Sequence, residues 1–229
     1  MDNPLIIFDC DGVLIDSERI YVDVELAYLA DRGITVERDW YMRQFLALAT
    51  DLWRERFSGL VKSHTGADLT DAEYDAFKLM VRTRVLGEVE TIEGIEALLT
   101  RLSAPRCVAS STVMSLLPRK LERTGLDRFF GEAVYSGDLV EHGKPAPDLF
   151  LHAAERMGHK TQDCITIEDS PNGVRGAKAA GQFVIGFTGG GHWADKSGAP
   201  LRAAGADHIV ASHAELADWL TQNTTAMAA

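Results

Sequence analysis

Two aspartates one residue apart, in Phe8-Asp9-Cys10-Asp11-Gly12, are the first residues of the chain whose spacing points to chemistry. Three later segments carry complementary groups. Ser110-Ser111-Thr112 offers hydroxyls, Gly143-Lys144-Pro145 a cation, and Glu168-Asp169-Ser170 a second pair of carboxylates. If these segments meet, Asp9, Asp11, Glu168 and Asp169 crowd together, and like charges that close cannot all stay ionised without a counter-ion. A hard divalent cation resolves the crowding, and oxygen ligands beside a phosphate-bearing substrate point to Mg²⁺. Asp9 and Asp169 are the expected direct ligands through side chains, Asp11 through its backbone carbonyl, and Glu168 directly or through water.

The remaining groups suit phosphoryl transfer. Lys144 gives a point charge, Ser110 a donor hydroxyl and the loop amides further donors, a set that neutralises a transferring phosphoryl group. Asp9 is the candidate nucleophile, forming an aspartyl phosphate. Asp11 is the candidate acid that protonates the leaving oxygen and later the base that activates water. The crowding favours Asp11 holding a proton. Cys10 is not a candidate nucleophile, because its acidic neighbours raise a thiol pKa. Each fragment alone has a plain structural reading: a turn with solvated acids at Asp9-Cys10-Asp11-Gly12, a common loop at Gly143-Lys144-Pro145, and an N-cap at Glu168-Asp169-Ser170. Four such fragments at successive strand ends are not explained that way.

The elements that must position these groups are visible as hydrophobic runs. Leu5-Ile6-Ile7-Phe8 is continuously apolar and rich in branched residues, the pattern of a buried strand. Similar runs recur at Cys107-Val108-Ala109, Ala133-Val134-Tyr135, Cys164-Ile165-Thr166-Ile167, Phe183-Val184-Ile185 and His208-Ile209-Val210. Between them, helices are expected at 95–102, 115–123, 146–157, 173–180 and 214–220. Strands alternating with helices indicate βαβ units and a parallel sheet covered on both faces. Ligands bind such a sheet at the carboxyl ends of its strands. Residues 16–87 differ. They hold no convincing strand, and 17–32, 40–49, 51–61 and 71–86 read as amphipathic helices, the last capped by Asp71. The fold class is therefore α/β with a helical insert after the first strand.

Composition excludes several classes. The chain has 229 residues, 46% hydrophobic and 25% charged, as in ordinary soluble globular proteins. Its net charge of −11 and lack of a basic stripe argue against nucleic-acid binding. A site for an anionic ester must then supply local positive charge. The cysteines, Cys10, Cys107 and Cys164, sit in or beside apolar runs and read as buried reduced thiols, hence a cytoplasmic protein. Met1-Asp2-Asn3-Pro4 has no basic n-region, so no signal peptide is expected. No apolar run approaches the roughly 20 residues that span a bilayer. A monomer or weak dimer is expected.

Taken together, these residues resemble the haloacid dehalogenase superfamily, in its phosphatase branch. Phe8-Asp9-Cys10-Asp11-Gly12-Val13-Leu14-Ile15-Asp16-Ser17-Glu18 looks like the first motif of that superfamily. Ser110 matches the second, Lys144 in Gly143-Lys144-Pro145-Ala146-Pro147-Asp148 the third, and Glu168-Asp169-Ser170-Pro171-Asn172-Gly173 the fourth. The resemblance covers nearly the whole chain. It implies a Rossmann-like catalytic core of residues 1–15 and 88–229, with a helical cap at 16–87. It also implies Mg²⁺ as cofactor, a small phosphorylated metabolite as substrate, and Ser111, Asn172 and Glu18 beside Ser110 and Lys144 as substrate contacts.

The pattern is closest to the β-phosphoglucomutase-like group, which includes sugar-phosphate and phosphoglycolate phosphatases. True dehalogenases lack an acid at the position of Asp11. Mutases of the group carry a histidine where this chain has Tyr21, and a Gly-centred cap loop with an arginine. The matching stretch, Phe45-Leu46-Ala47-Leu48-Ala49-Thr50, has Ala47 for the glycine and no arginine directly following. Hydrolysis of a sugar phosphate or similar ester is expected rather than mutase chemistry, with Arg43 and Arg54 the cations on neighbouring turns. A phospho-receiver domain would lack Asp11 and need no insert, and a non-catalytic binding protein would have lost one of these groups. Gly189-Gly190-Gly191-His192 follows a strand and either borders the site or forms a flexible turn between elements; His142 reads as a surface residue, and no histidine is an expected metal ligand.

Overall fold

The structure, a computed structural model, describes residues 3–45, 50–193 and 196–227. Its sheet has six strands: β1 (Leu5–Phe8), β2 (Arg106–Ser110), β3 (Val134–Ser136), β4 (Cys164–Glu168), β5 (Phe183–Phe187) and β6 (His208–Val210). They lie in the order β3-β2-β1-β4-β5-β6, all parallel. This is a Rossmann-like, doubly wound order. β1 is central and fully buried on both faces, which is why its sequence is unbroken rather than alternating in hydrophobicity. In register, Phe8 faces Val108 on β2 and Ile167 on β4. The chain builds outward from β1 through β2 to β3, then crosses to β4 on the other side. The direction of winding reverses beside β1, where doubly wound sheets open a crevice at their carboxyl end.

Two compact units make up the chain, Met1–Asp16 with Glu90–Ala229, and Ser17–Val89. The second contains α1 (Glu18–Ala30), α2 (Arg38–Phe45), α3 (Thr50–Thr65) and α4 (Asp71–Glu88). It extends two residues beyond the 87 read from the sequence, because α4 continues to Glu88. The cap of α4 is Thr70, not Asp71. Thr70 Oγ1 accepts the Glu73 amide, and Glu73 Oε2 accepts the Thr70 amide at 2.9 Å, a capping box. Aromatic rings fill the interior of this unit. Trp53 stacks on Phe57 at 4.6 Å, Tyr41 on Phe45 at 4.4 Å, and Tyr28 meets Phe77 edge-on at 4.9 Å. Leu46, Ala47, Leu48 and Ala49, the heart of the cap loop considered above, lie outside the described residues.

The sheet unit continues with α5 (Ile95–Arg101), α6 (Leu117–Thr124), α7 (Asp127–Phe130), α8 (Asp148–Arg156), α9 (Pro171–Ala179), α10 (Ala199–Ala204) and α11 (His213–Asn223). The sequence reading did not include α7 and α10. Each is too short to build a period, and each ends at a glycine, Gly131 and Gly205. All three cysteines are buried and free. Among the described residues, no helix is long and apolar enough to cross a membrane.

Glu25 is a buried carboxylic acid in the helical unit. Burial pushes the Glu25 carboxyl up to about 8, with Glu18 adding to the rise. In the unfolded chain it ionises near its ordinary value of 4.5. The folded state therefore keeps this proton between roughly pH 4.5 and 8 while the unfolded state loses it, so stability falls as pH rises across that window. Glu25→Gln should remove this slope. Thermal melts at pH 5 and pH 8.5 check it: the wild type should lose more on going to pH 8.5 than Glu25→Gln does, by up to a few kcal/mol.

Candidate active site

Asp9 is the first residue past β1. Its amide donates to the Ile167 carbonyl at 3.0 Å, so the hydrogen-bond ladder to β4 carries on to this residue. Ser110 is the last residue of β2 and Glu168 the last of β4, with Asp169 following it. Lys144 comes from the loop between β3 and α8. The parallel register brings these residues to one edge, and Lys144 ties them together. Its Nζ donates to Asp9 Oδ1 at 2.6 Å, to Glu168 Oε1 at 2.5 Å and to the Ala109 carbonyl at 3.0 Å. Those three bonds match the three donors of an ammonium group. Glu168 Oε2 accepts the amide and the hydroxyl of Ser170, both at 3.0 Å. The same hydroxyl accepts the Gly173 amide and caps α9. The N-cap reading of this segment is therefore correct, and it coexists with the site.

Asp9, Glu168 and Asp169 each present an oxygen within 4.8 Å of the others. Burial pushes the Asp9 carboxyl well above the usual range; Lys144 opposes the rise, and Glu168, Asp169 and Asp11 add to it. Burial, then Glu168, does the same to Asp169. Burial alone would lower Lys144, but Asp9 and Glu168 outweigh it and hold the ammonium above its ordinary value. The donor set fits a hard divalent cation. It consists of carboxylate oxygens only, and each carboxylate has about four lone-pair sites, so the contacts above leave room for an ion. Cys10 is buried between the acids and its thiol is pushed up, by burial first and then by Asp11. That is the opposite of an activated nucleophile.

Two glycines let the loops close. Gly12 has φ +78°, and an added Cβ would lie 1.8 Å from Asp169 Oδ2. A Cβ on Gly190 would meet the Gly12 carbonyl at 2.9 Å. The segment Gly189-Gly190-Gly191-His192 is thus packed against the first loop. His192 Nε2 lies 3.2 Å from Asp169 Oδ2. It is a neighbour of a carboxylate, a part the sequence did not suggest.

Asp11 stands apart from the Lys144 cluster in its bonding. Its Oδ1 accepts from Lys120 Nζ at 2.6 Å and its Oδ2 from Thr112 Oγ1 at 2.6 Å. Lys120 and Thr112 thus hold the two oxygens of Asp11 in place. Lys120 was missed by sequence reasoning. The available signal was a lysine on the inward stripe of α6, between Leu117 and Leu121. Of the other expected contacts, Ser110 is buried and accepts the Thr112 amide at 3.1 Å. Ser111 is exposed. The Asn172 side-chain carbonyl accepts from Arg175 at 3.1 Å, and Glu18 opens α1 in the helical unit.

Comparison with known proteins identifies the family. Residues 4–181 match the family model of the haloacid dehalogenase-like hydrolases. The chain is 29% identical over 184 residues to the 6-phosphogluconate phosphatase of Escherichia coli (strain K12), covering 80% of this chain and 81% of that protein. It is 34% identical over 188 residues to a probable pseudouridine-5'-phosphatase of Drosophila melanogaster, covering 78% and 79%. A HAD-family hydrolase from Deinococcus radiodurans R1, solved with bound phosphate and sodium, superposes with a TM-score of 0.83 at 30% identity, covering 96% and 97%.

The clamp on Glu168 can be tested through the glycine beneath it. A Cβ on Gly173 would lie 1.8 Å from Glu168 Oε1. Gly173 is helical, so alanine there brings no backbone strain and raises helix propensity. Gly173→Ala should keep the fold yet push Glu168 off Lys144, lowering turnover by about a hundredfold. Steady-state kinetics beside a melting curve measure this, and wild-type turnover would show that the Glu168–Lys144 contact is dispensable.

Proposed function

The chain belongs to the haloacid dehalogenase-like hydrolase family, and we propose that it is a Mg²⁺-dependent phosphatase of a small phosphorylated metabolite, a sugar phosphate or similar ester. The observation that carries this reading is the buried grouping of Asp9, Glu168 and Asp169 with Lys144 bonded to two of them. Relatives that share about four-fifths of the chain are named as phosphatases of small phosphorylated molecules. Asp9, Asp169 and Glu168 would hold the cation through side chains, and Asp11 through its carbonyl. The bound ion would neutralise the phosphoryl oxygens.

The residues of the chain would do the rest. An oxygen of Asp9 attacks phosphorus; the bond from phosphorus to the ester oxygen breaks, and Asp11 delivers a proton to that oxygen. The product alcohol leaves an aspartyl phosphate on Asp9. Asp11 then takes a proton from water as the water attacks phosphorus, which frees inorganic phosphate and restores Asp9. Lys144 and Ser110 hold the phosphoryl oxygens, with Ser111 and Asn172 as outer contacts. The helical unit, which carries Glu18, would serve as the cap domain of the family. Hydrolysis is favoured over the mutase alternative, which needs a fixed cation for a second phosphate. Arg54 is engaged within the helical unit, ion-paired with Asp71 and lying 4.4 Å over the Tyr74 ring, and Arg43 is exposed on α2. We assign the enzyme to the cytoplasm, acting as a monomer or weak dimer.

Phosphate release from p-nitrophenyl phosphate and a panel of sugar phosphates tests the reading. Activity should vanish with EDTA and return with Mg²⁺; full turnover after thorough chelation would refute the metal site. The two aspartates separate by leaving group. Asp9→Asn should abolish the phosphoenzyme. Asp11→Asn should slow alkyl phosphates by about a hundredfold or more and p-nitrophenyl phosphate much less, because a good leaving group needs little protonation. Equal losses on both esters would contradict the acid/base role.

A further inference from the structure

We propose that Lys120 is a positioning residue for Asp11, fixing the direction in which that carboxylate delivers and takes back its proton. The proposal rests on the phosphatase reading and on the part given to Asp11 in it. Lys120 lies on α6 among the inward residues Leu117 and Leu121. Helix periodicity calls for an aliphatic side chain there. Its side chain is 0% exposed. A buried ammonium is costly unless a charged partner and further hydrogen bonds compensate. A residue that breaks the pattern of its own helix so plainly marks function more often than packing.

The contacts say what that function is. Lys120 Nζ donates to Asp11 Oδ1 at 2.6 Å and to Thr112 Oγ1 at 3.1 Å. Thr112 Oγ1 in turn donates a hydrogen bond to Asp11 Oδ2 at 2.6 Å. The two donors take both oxygens of one carboxylate and also touch each other, a closed triangle that leaves the carboxylate one orientation. Thr112 is itself anchored. Its amide donates to Ser110 Oγ at 3.1 Å, and its carbonyl accepts from Ser136 Oγ at 2.8 Å. The triangle therefore ties Asp11 to the ends of β2 and β3. Lys144 bonds Asp9 and Glu168 instead, so each aspartate of the first loop has its own lysine.

Lys120→Met tests this, since methionine keeps the stem and restores an aliphatic residue to the stripe. The variant should still fold, with a lowered melting temperature because Asp11 loses its cation. KM should stay within about twofold while kcat on an alkyl phosphate falls by about tenfold or more, with a much smaller loss on p-nitrophenyl phosphate. In an Asp11→Asn background the same substitution should cost nothing further, because the two residues act as one unit. Thr112→Val should repeat the pattern and Thr112→Ser, which keeps the hydroxyl, should escape it. That pair supplies the comparison if Lys120→Met fails to fold. Equal losses on both esters, an undiminished loss in the Asp11→Asn background, or wild-type kcat would each overturn the proposal. If Asp11→Asn shows the leaving-group effect and Lys120→Met does not, only the role of Lys120 falls. A wild type inert on both esters, or an Asp11→Asn variant without that effect, removes the underlying reading and this proposal with it.

Discussion

Lys144 Nζ sits between Asp9 and Glu168, 2.6 and 2.5 Å from their oxygens, with all three groups almost wholly out of solvent. Removing one partner of such a cluster strands the rest in a poorly solvating interior, at a cost of about 3–5 kcal/mol. The acids at the ends of two different strands therefore depend on a loop residue 135 positions from Asp9. Few arrangements of the chain satisfy that requirement. Lys144 must arrive with its stem buried and its three donors aimed, so the loop that carries it cannot vary freely. The Ser170 cap adds a second restraint on Glu168, and couples the start of α9 to the charge cluster. Here electrostatics fix local backbone structure as much as the backbone fixes the site.

The sheet makes this convergence possible. A doubly wound order places the ends of β1, β2 and β4 side by side, whatever the loops contain. Loop composition then decides how closely the acids approach. Gly12 allows a left-handed turn against Asp169, Gly173 lets α9 start on top of Glu168, and Gly190 lies against the backbone of Gly12. A side chain at any of the three would hold the carboxylates or their loops apart. The glycines are as much a part of the site as the charged residues they admit.

These facts also explain what could be read from sequence. Each strand was visible as an apolar run, because a sheet covered on both faces needs no polar alternation. Asp9, Lys144, Glu168 and Asp169 were visible because they end such runs or sit in a short motif. The triangle around Asp11 was not. Lys120 is ten residues past Ser110, on a helix whose other charges, such as Arg119 and Glu122, are ordinary surface groups. Only its placement on the inward stripe set it apart, and that stripe is short. The glycine run before His192 suggested a place at the border of the site, but only the fold shows Gly190 against Gly12 and His192 beside Asp169. The cap of α4 was misplaced by one residue, since Thr70 and Asp71 are both good caps and only the reciprocal bond to Glu73 distinguishes them.

The acidity of the chain can now be set against its proposed anionic substrate. Asp9, Asp11, Glu168 and Asp169 bring four carboxylates to the strand ends, and Lys144 and Lys120 bring two ammonium groups. The carboxyl groups thus outnumber the ammonium groups by two. Without an ion, protons are the only remedy, and Asp9 and Asp169, the two acids held well above their ordinary range, are where that pressure appears. A bound divalent cation would relieve the same crowding. The lysines do not replace the ion, because each is already committed to carboxylates. They keep the cluster intact, and in the proposed reaction the charge of Lys144 would add to that of an ion beside the transferring phosphoryl group. A net charge of −11 is compatible with an anionic ester on that basis: the attraction it needs would act at short range at the strand ends, where screening is weakest.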